Sequence, residues 1–366
     1  MGVWQAAYVT EAVLLVGGQG TRLRPLTINT PKPMLPVAGV PFTVHQILRA
    51  REAGISRIIL ATSYRADVFR EFLDRTDLGI EVVIATEDQP MGTGGAIRHV
   101  RPLLQSSGDD PVVIFNGDVL TGLDIRALVE HQVSSNSDVT LYLTRVHDPR
   151  AYGLVPTDDS GRVTDFLEKP ESAEDIVTDQ INAGCYVFKA SVIDSIPTGR
   201  PVSVERETFP GLLTSGAHVS GVVDSGYWLD LGTPLSFAQG SRDLVLGKAP
   251  SPAVTTQGEA LILDGATVAP TARILGGSTI GARSQVGENT TIDGSVVFDD
   301  AVIGANVVIE DSIIGAGARI GAGCSLTSVV VGDGAVLEAD NELRAGARVW
   351  VDAHLGPKAV RFSADQ

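Results

Sequence analysis

LLVGGQGTRLRPLTINTPKPMLP, running from Leu14 to Pro36, decides how this chain is read. Val13, Leu14, Leu15 and Val16 form a short apolar run that predicts a buried strand. Gly17, Gly18 and Gly20 follow it without side chains, so backbone N–H groups can come close to phosphate oxygens. Arg22 and Arg24 then offer planar guanidinium forks, and Lys32, set between Pro31 and Pro33, offers a point charge on a stiffened backbone. A strand, a glycine loop and fixed cations in that order predict a cradle for a triphosphate. The loop lacks the Gly-Lys-Ser/Thr ending of a Walker P-loop and is not the dinucleotide GxGxxG. Arg24 is open to two readings, a phosphate contact or a support of the loop.

Outward from this stretch, apolar runs alternate with longer mixed segments as far as about residue 245: VLLV, RIILAT, EVVIAT, VVIFNGD and DVTLYLTRV. The alternation predicts an α/β sheet with helices on both faces, whose ligands gather at the carboxyl ends of the strands. Both the glycine loop and Asn116-Gly117-Asp118 directly follow such runs. Residues 246–260, LGKAPSPAVTTQGEA, lose the alternation and read as a linker.

Beyond the linker the chain becomes periodic. Ile262, Val268, Ile274, Ile280, Val286 and Ile292 fall six apart, and the series continues at steps of five or six through Val297, Ile303, Ile309, Ile314, Ile320, Leu326, Val331, Leu337, Leu343 and Val349. Glycine often follows at once, as at Gly281, Gly287, Gly304, Gly315 and Gly321. A hexapeptide period predicts three short faces per coil, aliphatic side chains pointing into a stacked prism, and roughly five coils of about 17 or 18 residues. The open end of such a prism needs a cover, from Val349-Trp350-Val351 onward or from another subunit. Two domains joined by a linker are thus expected: 1–245, the link 246–260, and 261–366 with its C-terminal tail.

Composition narrows the functional classes. A length of 366 residues exceeds one ordinary core, and 43% hydrophobic with 20% charged residues describes an ordered globular chain. The net charge of −16 argues against a nucleic-acid surface, so a cationic phosphate site must be local. Arginine dominates the cations, with five lysines in the whole chain, and two of these, Lys32 and Lys169, fall inside motifs. Cys185 and Cys324 are too far apart in sequence to suggest a disulfide framework or a zinc site. With no apolar run near the ~20 residues of a membrane span and no signal-peptide pattern, a cytoplasmic protein without a membrane partner is expected. Hexapeptide prisms often carry acyl transfer with a histidine base, but none of the six histidines lies within 262–349.

GGxGTRLRPLT followed by PKPMLP resembles the signature of the sugar-1-phosphate nucleotidyltransferases, the NDP-sugar pyrophosphorylases. Phe166-Leu-Glu-Lys-Pro170, Ile181-Asn-Ala-Gly184, Ser203-Val-Glu-Arg-Glu-Thr-Phe-Pro210 and Gly226-Tyr-Trp-Leu-Asp-Leu-Gly-Thr-Pro234 are similar, in order and spacing, to the mannose-1-phosphate guanylyltransferase branch. The resemblance spans nearly the whole chain. It implies a Rossmann-like catalytic domain with a mixed, mostly parallel sheet, followed by a left-handed parallel β-helix, whose flat apolar faces predict homo-oligomer contacts. It also implies a Mg²⁺-dependent reaction in which GTP and α-D-mannose 1-phosphate give GDP-mannose and pyrophosphate. Another sugar 1-phosphate, such as glucose or a manno-heptose, another nucleotide, or a catalytically silent regulatory subunit are the alternatives.

The same resemblance assigns roles residue by residue. Leu15, Gly17, Gly18, Gly20, Thr21, Arg22, Glu87, Gly92 and Thr93 fall on the nucleotide-binding positions, with Arg22 on the leaving phosphates and Lys32 at the reacting centre. Asp118 and Asp230 fall on the metal ligands, in keeping with magnesium's preference for hard oxygen donors completed by phosphate and water. Glu168 maps to a sugar hydroxyl, Lys169 to the sugar phosphate, and Gly153 and Asn182 to the sugar pocket. In Glu87-Asp-Gln-Pro-Met-Gly92 this chain has Glu where uridylyl and thymidylyl relatives commonly have Gln. An ionised carboxylate only accepts hydrogen bonds. Guanine, with adjacent N1–H and amino donors, suits it better than uracil or thymine; alternatively, Glu87 faces solvent and a backbone amide reads the base.

Overall fold

A computed structural model of the chain describes residues 11–170 and 172–361. The outer limits of the expected domains, 1 and 366, therefore lie outside the described residues. The chain divides into two compact units, Met1–Gly18 with Gln46–Trp228 and Gln19–His45 with Leu229–Gln366. The opening motif is thus shared, its glycine pair Gly17-Gly18 ending one segment and Gln19 starting the other.

The first unit is built on a nine-stranded sheet. Its strands are β1 (Glu11–Leu15), β2 (Arg57–Thr62), β3 (Glu81–Thr86), β4 (Pro111–Asn116), β5 (Val139–Arg145), β6 (Gly153–Leu154), β7 (Leu167–Glu168), β8 (Gln180–Lys189) and β9 (Val219–Val223). Along the sheet the order is β7-β6-β8-β4-β1-β2-β3, with β5 also paired to β8 and β9 paired to β5. The stretch β3-β2-β1-β4 is parallel, whereas β8 enters antiparallel against β4. Val13, Ile59, Val112 and Ile114 are fully buried, and so are their neighbours Ala12, Leu14, Ile58, Leu60 and Val113. Since successive strand side chains point to opposite faces, both faces of the sheet are covered. One cover is the helix Gly92–Val100, whose Ala96, Ile97 and Val100 join the core of Val13, Ile59 and Ile114.

Register fixes where the loops emerge. Leu15 pairs with Ala61 and Asn116, and Thr62 pairs with Thr86, so β1 to β4 end along one edge. Strand β8 runs the other way, so its early residues lie at that same edge, where its pairing with β5 shifts register between Asn182 and Tyr186. Gly153 pairs with Glu168, and Leu154 with Ile181, which adds the β6–β7 pair beside it.

In the second unit the helix Pro234–Val245 opens with a capping box, Thr233 and Ser236 satisfying each other's backbone, and with Pro234 in the first turn where no N–H is needed. Phe237 of this helix stacks edge-on to Phe298, and Arg242 pairs with Asp311 at 3.0 Å. The helix therefore packs against the periodic region. No helix or strand lies between Val245 and Ala260.

From Ala260 the short strands sort into three parallel sheets, two of six strands and one of five. Ile262, Ile280, Val297, Ile314, Val331 and Val349 stack in one column, at the steps of 17 or 18 residues read from the sequence. From Ile280 to Val349 the aliphatic series is buried. Ile262 departs from that expectation and is 49% exposed, because the first coil has no coil before it. The glycines after the aliphatic positions are a matter of space. A Cβ on Gly315 would stand 2.6 Å from the backbone N of Asp333 in the next coil, and one on Gly321 would stand 2.6 Å from that of Ala339. As far as residue 361, the chain beyond Val349 adds coil and not a separate cap. Arg348–Val349 and His354–Leu355 form further coil, and Glu342 N–H donates to Val360 O at 2.9 Å. Among the described residues no helix is long and apolar enough to cross a membrane, and both cysteines are free and buried.

Candidate active site

The first unit gathers its candidate residues at the carboxyl edge of β1 to β4. Val16 N–H donates to Ala61 O, and Ser63 Oγ donates to Gly17 O at 3.2 Å, which fixes the start of the glycine loop. Gly18 has open space where a side chain would stand. Gly117 N–H donates to Leu15 O at 2.9 Å, and any Cβ there would collide with that carbonyl. Glycine at 117 thus lets the β4 end lie against the β1 end and leaves Asp118, half-buried, beside the loop's root.

Glu87 follows β3, with its N–H donating to Thr62 O at 2.9 Å. Its side chain is buried rather than turned to solvent. One carboxylate oxygen accepts from Met91 N–H at 3.3 Å, and Oε1 has no partner among the described residues. Burial raises its pKa above the usual carboxyl range, against the lowering pull of the Met91 N–H and His99. Gly92 is left-handed (φ 71°), and a Cβ would stand 2.6 Å from Val202 O, so the entry to the helix Gly92–Val100 demands glycine. Thr93 accepts from Val204 N–H at 2.9 Å and donates to Glu205 at 2.8 Å.

Gly153, Glu168, Lys169 and Asn182, expected around the sugar phosphate, lie at the same edge. A Cβ on Gly153 would stand 2.9 Å from Glu168 Oε2, so the absent side chain makes room for that carboxylate. The Glu168 pKa is raised, first by burial and then by the Glu205 charge, with Lys169 and Arg206 pulling it down. Lys169 is exposed in a left-handed conformation (φ 52°), its Nζ 3.7 Å from Glu168. Asn182 donates to the Tyr186 hydroxyl at 2.8 Å and accepts from Gly184 N–H at 3.1 Å. These bonds close the β8 bulge.

The second unit carries Gly20, Thr21, Arg22, Arg24, Lys32 and Asp230. Gly20 is left-handed (φ 60°), its carbonyl accepts from Thr27 Oγ1 at 2.9 Å, and a Cβ there would stand 2.8 Å from Lys32 Cβ. The turn Thr21–Leu23 is thereby folded back on the buried Lys32. A Cβ on Gly232 would stand 2.9 Å from both Arg22 Cζ and Asp230 Oδ1, so a cation and a carboxylate share one corner. Arg24 is exposed, and its carbonyl accepts from Arg348 Nη1 at 2.7 Å.

The donor set can be tested against a metal. Asp118 and Asp230 are half-buried hard oxygen donors, and among the described residues no group of three His, Cys, Asp or Glu side chains could hold an ion by itself. Each aspartate, within its own unit, is the kind of donor that suits an ion taking few carboxylates and completing its sphere with phosphate and water.

Two residues without an assigned role stand among these groups. Glu205 bridges Thr93 and Ser203, each at 2.8 Å, and its charge reaches Glu168 and Tyr186. It sits in a π-turn, Val204–Thr208, a widening frequent at functional sites. Its place in Ser203–Pro210 is legible as motif, but nothing local in the sequence reveals the bridge. Asn116 lies against Gly184, its Nδ2 3.0 Å from where a Cβ would stand, with Oδ1 unpartnered among the described residues.

Comparison with known proteins adds independent findings. A family model described as Nucleotidyl transferase matches residues 11–245, and one described as EIF2B subunit epsilon LbH domain matches residues 260–360. The chain is 52% identical, over 98% of its length and 99% of the relative's, to a mannose-1-phosphate guanylyltransferase of Mycobacterium tuberculosis (strain ATCC 25618 / H37Rv). It is 37% identical to the mannose-1-phosphate guanylyltransferase catalytic subunit beta of Drosophila melanogaster, over 63% of this chain and 62% of that one. The crystal structure of HddC from Yersinia pseudotuberculosis complexed with GMP-PN superimposes with a TM-score of 0.55 at 28% identity, covering 64% of this chain and 99% of that one.

Proposed function

We propose the reaction on one premise: the chain belongs to the nucleotidyl transferase family. It transfers a guanylyl group from GTP to α-D-mannose 1-phosphate, giving GDP-mannose and pyrophosphate. The observation that carries this substrate pair is the near-full-length likeness to the mycobacterial protein of that name.

The sugar-phosphate oxygen attacks the α-phosphorus in line, and the bond to the pyrophosphate oxygen breaks as the new P–O bond forms. No covalent enzyme intermediate is needed, so the residues position and neutralise. Leu15, Gly17, Gly18, Gly20 and Thr21 follow the nucleotide with backbone groups, Arg22 meets the leaving phosphates, and Lys32 meets the reacting phosphate. Asp118 and Asp230 would hold Mg²⁺, which when bound supplies charge neutralisation at the phosphates. Glu168 accepts from a sugar hydroxyl, Lys169 meets the sugar phosphate, and Gly153 and Asn182 shape the pocket. Glu87, with Gly92 and Thr93 beside it, reads the base. Its burial and unpartnered oxygen support this role, since guanine brings two donors to a carboxylate that lacks them.

This chemistry is assigned to residues 1–245, followed by the link 246–260 and the solenoid of 261–366, which is assigned to homo-oligomer assembly; a cytoplasmic location is part of the proposal. A strictly monomeric protein by light scattering at micromolar concentration would remove the assembly role. The substrate assignment is tested by pyrophosphate release with Mg²⁺ across GTP, dTTP, UTP and ATP against mannose, glucose and galactose 1-phosphates. GTP with mannose 1-phosphate is expected to dominate. A different winning pair overturns the base or sugar, and silence throughout points to a regulatory subunit.

A further inference from the structure

The segment Gln19–His45 carries Thr21, Arg22, Arg24 and Lys32, yet before the helix Phe42–Glu52 begins it contains little regular structure: two single-turn helices and the strand pair Pro36–Val37 with Val40–Pro41. Its shape is held by anchors on the C-terminal part of its own unit. At one end Ala38 N–H donates to Ser241 Oγ at 2.9 Å. His45 bonds Ser251 Oγ through Nδ1 and Val37 O through Nε2, at 2.7 and 3.0 Å. Gly39 lies so close to the first coil that a Cβ would stand 2.5 Å from Leu263 Cδ1.

The other anchors are far along the solenoid. Arg348 Nη1 donates to Arg24 O at 2.7 Å, and the Asn29 side chain bonds the carboxyl group of Asp333. Asp333 is itself fixed, since it accepts from Ala316 N–H at 3.0 Å across the coil step. Leu263 directly follows the first strand of the column that ends at Val349, five coil steps later. At about 4.8 Å per step the anchors are spread over roughly 24 Å of the solenoid. The segment is therefore a strap stretched along the prism, and the arginine-bearing turn belongs to its far end.

We propose that Arg348 and Asp333, on the last coils of the solenoid, are positioning residues that hold the turn Thr21–Arg24 in the form that receives the nucleotide's phosphates. The solenoid is then part of the catalytic apparatus as well as a surface for assembly. The inference rests on the reading of Arg22 as a phosphate ligand. Two features separate it from a merely structural contact. Arg348 is exposed, so its bond contributes little to global stability, and it is made to the backbone of the turn itself. It also adds a third guanidinium to a turn that already has Arg22 and Arg24, an accumulation of like charge that favours an anionic ligand.

The test compares full-length wild type with Arg348→Ala, Arg348→Lys and Asn29→Ala. Hydrogen exchange of residues 20–30 and melting temperature are measured without substrate, and KM for GTP and for mannose 1-phosphate with Mg²⁺. Arg348→Ala and Asn29→Ala are each expected to speed exchange and to raise KM for GTP by about 5- to 10-fold, the size of one lost hydrogen bond, with melting temperature and sugar-phosphate KM unchanged. Arg348→Lys should recover part of both effects. Unchanged exchange and GTP KM in both alanine variants would overturn the proposal. So would equal rises in both KM values accompanied by a lower melting temperature. A wild type that does not turn over GTP would overturn the substrate reading instead, and the exchange data would still decide whether the anchors hold the turn.

Discussion

In the first unit the candidate residues stand at the ends of strands whose register is set by main-chain hydrogen bonds, whereas in the second all but Asp230, which ends the strand Trp228–Asp230, sit on a strap held largely by side chains. Asp118 belongs to the former kind, rooted by the Gly117 N–H bond to Leu15 O. Arg22 belongs to the latter, on a turn whose neighbours are tied through Thr27, Arg348 and Asn29. The difference teaches where each half is vulnerable. A strand edge survives most single side-chain changes, because the ladder does not depend on them. A strap loses its shape when one anchor goes, even an anchor more than three hundred residues away in sequence.

The largest expected effect tests whether these unlike supports serve one reaction. Asp118→Asn and Asp230→Asn keep side-chain volume and remove a charge, one in each unit. Each is expected to lower kcat for pyrophosphate release by at least ~10²-fold, in line with the electrostatic share of phosphoryl transfer. Near wild-type turnover in either variant would remove that carboxylate from the metal assignment and leave its unit to act through its other candidate residues alone.

Much of both units is legible in the sequence, and for one reason: periodicity reports burial. The runs RIILAT and EVVIAT coincide with strands of the sheet, VLLV and VVIFNGD form strands as far as Leu15 and Asn116, and the hexapeptide series reproduces the column Ile280 to Val349. What escapes is whatever depends on contacts distant in the chain. The motif Leu14–Pro36 reads as one cradle, yet the chain changes unit between Gly18 and Gln19. Nothing in Asn29 or Arg348 announces their partners. Ile262 holds the same place in the period as Ile280, and its exposure comes from lacking a preceding coil. The bulge at Asn182–Tyr186 is likewise invisible, because a register shift belongs to a pair of strands and not to either one.

A smaller effect sharpens the account of the strand edge. If Glu87 reads guanine as an acceptor, Glu87→Gln is expected to relax the preference for GTP over UTP or dTTP by about 10-fold, the size of one net hydrogen bond. The raised carboxyl pKa adds a pH signature. As pH falls through it, Glu87 protonates earlier than an ordinary glutamate and loses acceptor capacity, so KM for GTP in wild type should rise on the acid side and that rise should vanish in Glu87→Gln. For stability the sign is opposite. A raised folded-state pKa means the folded protein holds this proton more tightly, so the group favours folding at low pH and costs stability as pH rises through the folded pKa. Unchanged base selectivity would show that the backbone of Gly92 and Thr93 reads the base.

The smallest effect concerns how the solenoid bears its anchors. Between coils, buried hydroxyls continue the ladder where strands end: Ser295 N–H donates to Ser278 Oγ, Ser312 N–H to Ser295 Oγ and Val329 N–H to Ser312 Oγ, each at 3.0 Å. Ser295→Ala removes one rung and leaves the Ser312 N–H buried without that acceptor, which should cost about 1 kcal/mol and lower the melting temperature by a few degrees. Ser295 lies in the middle of the stack, and the strap anchors at Leu263 and Arg348 flank it on either side. If the solenoid is a stiff rod, exchange at residues 20–30 and KM for GTP should stay at wild-type values despite the lost stability. If instead both move with the melting temperature, rung and strap are one cooperative element. The contrast between a main-chain edge and a side-chain strap would then have to give way to a contrast between a rigid sheet and a compliant prism.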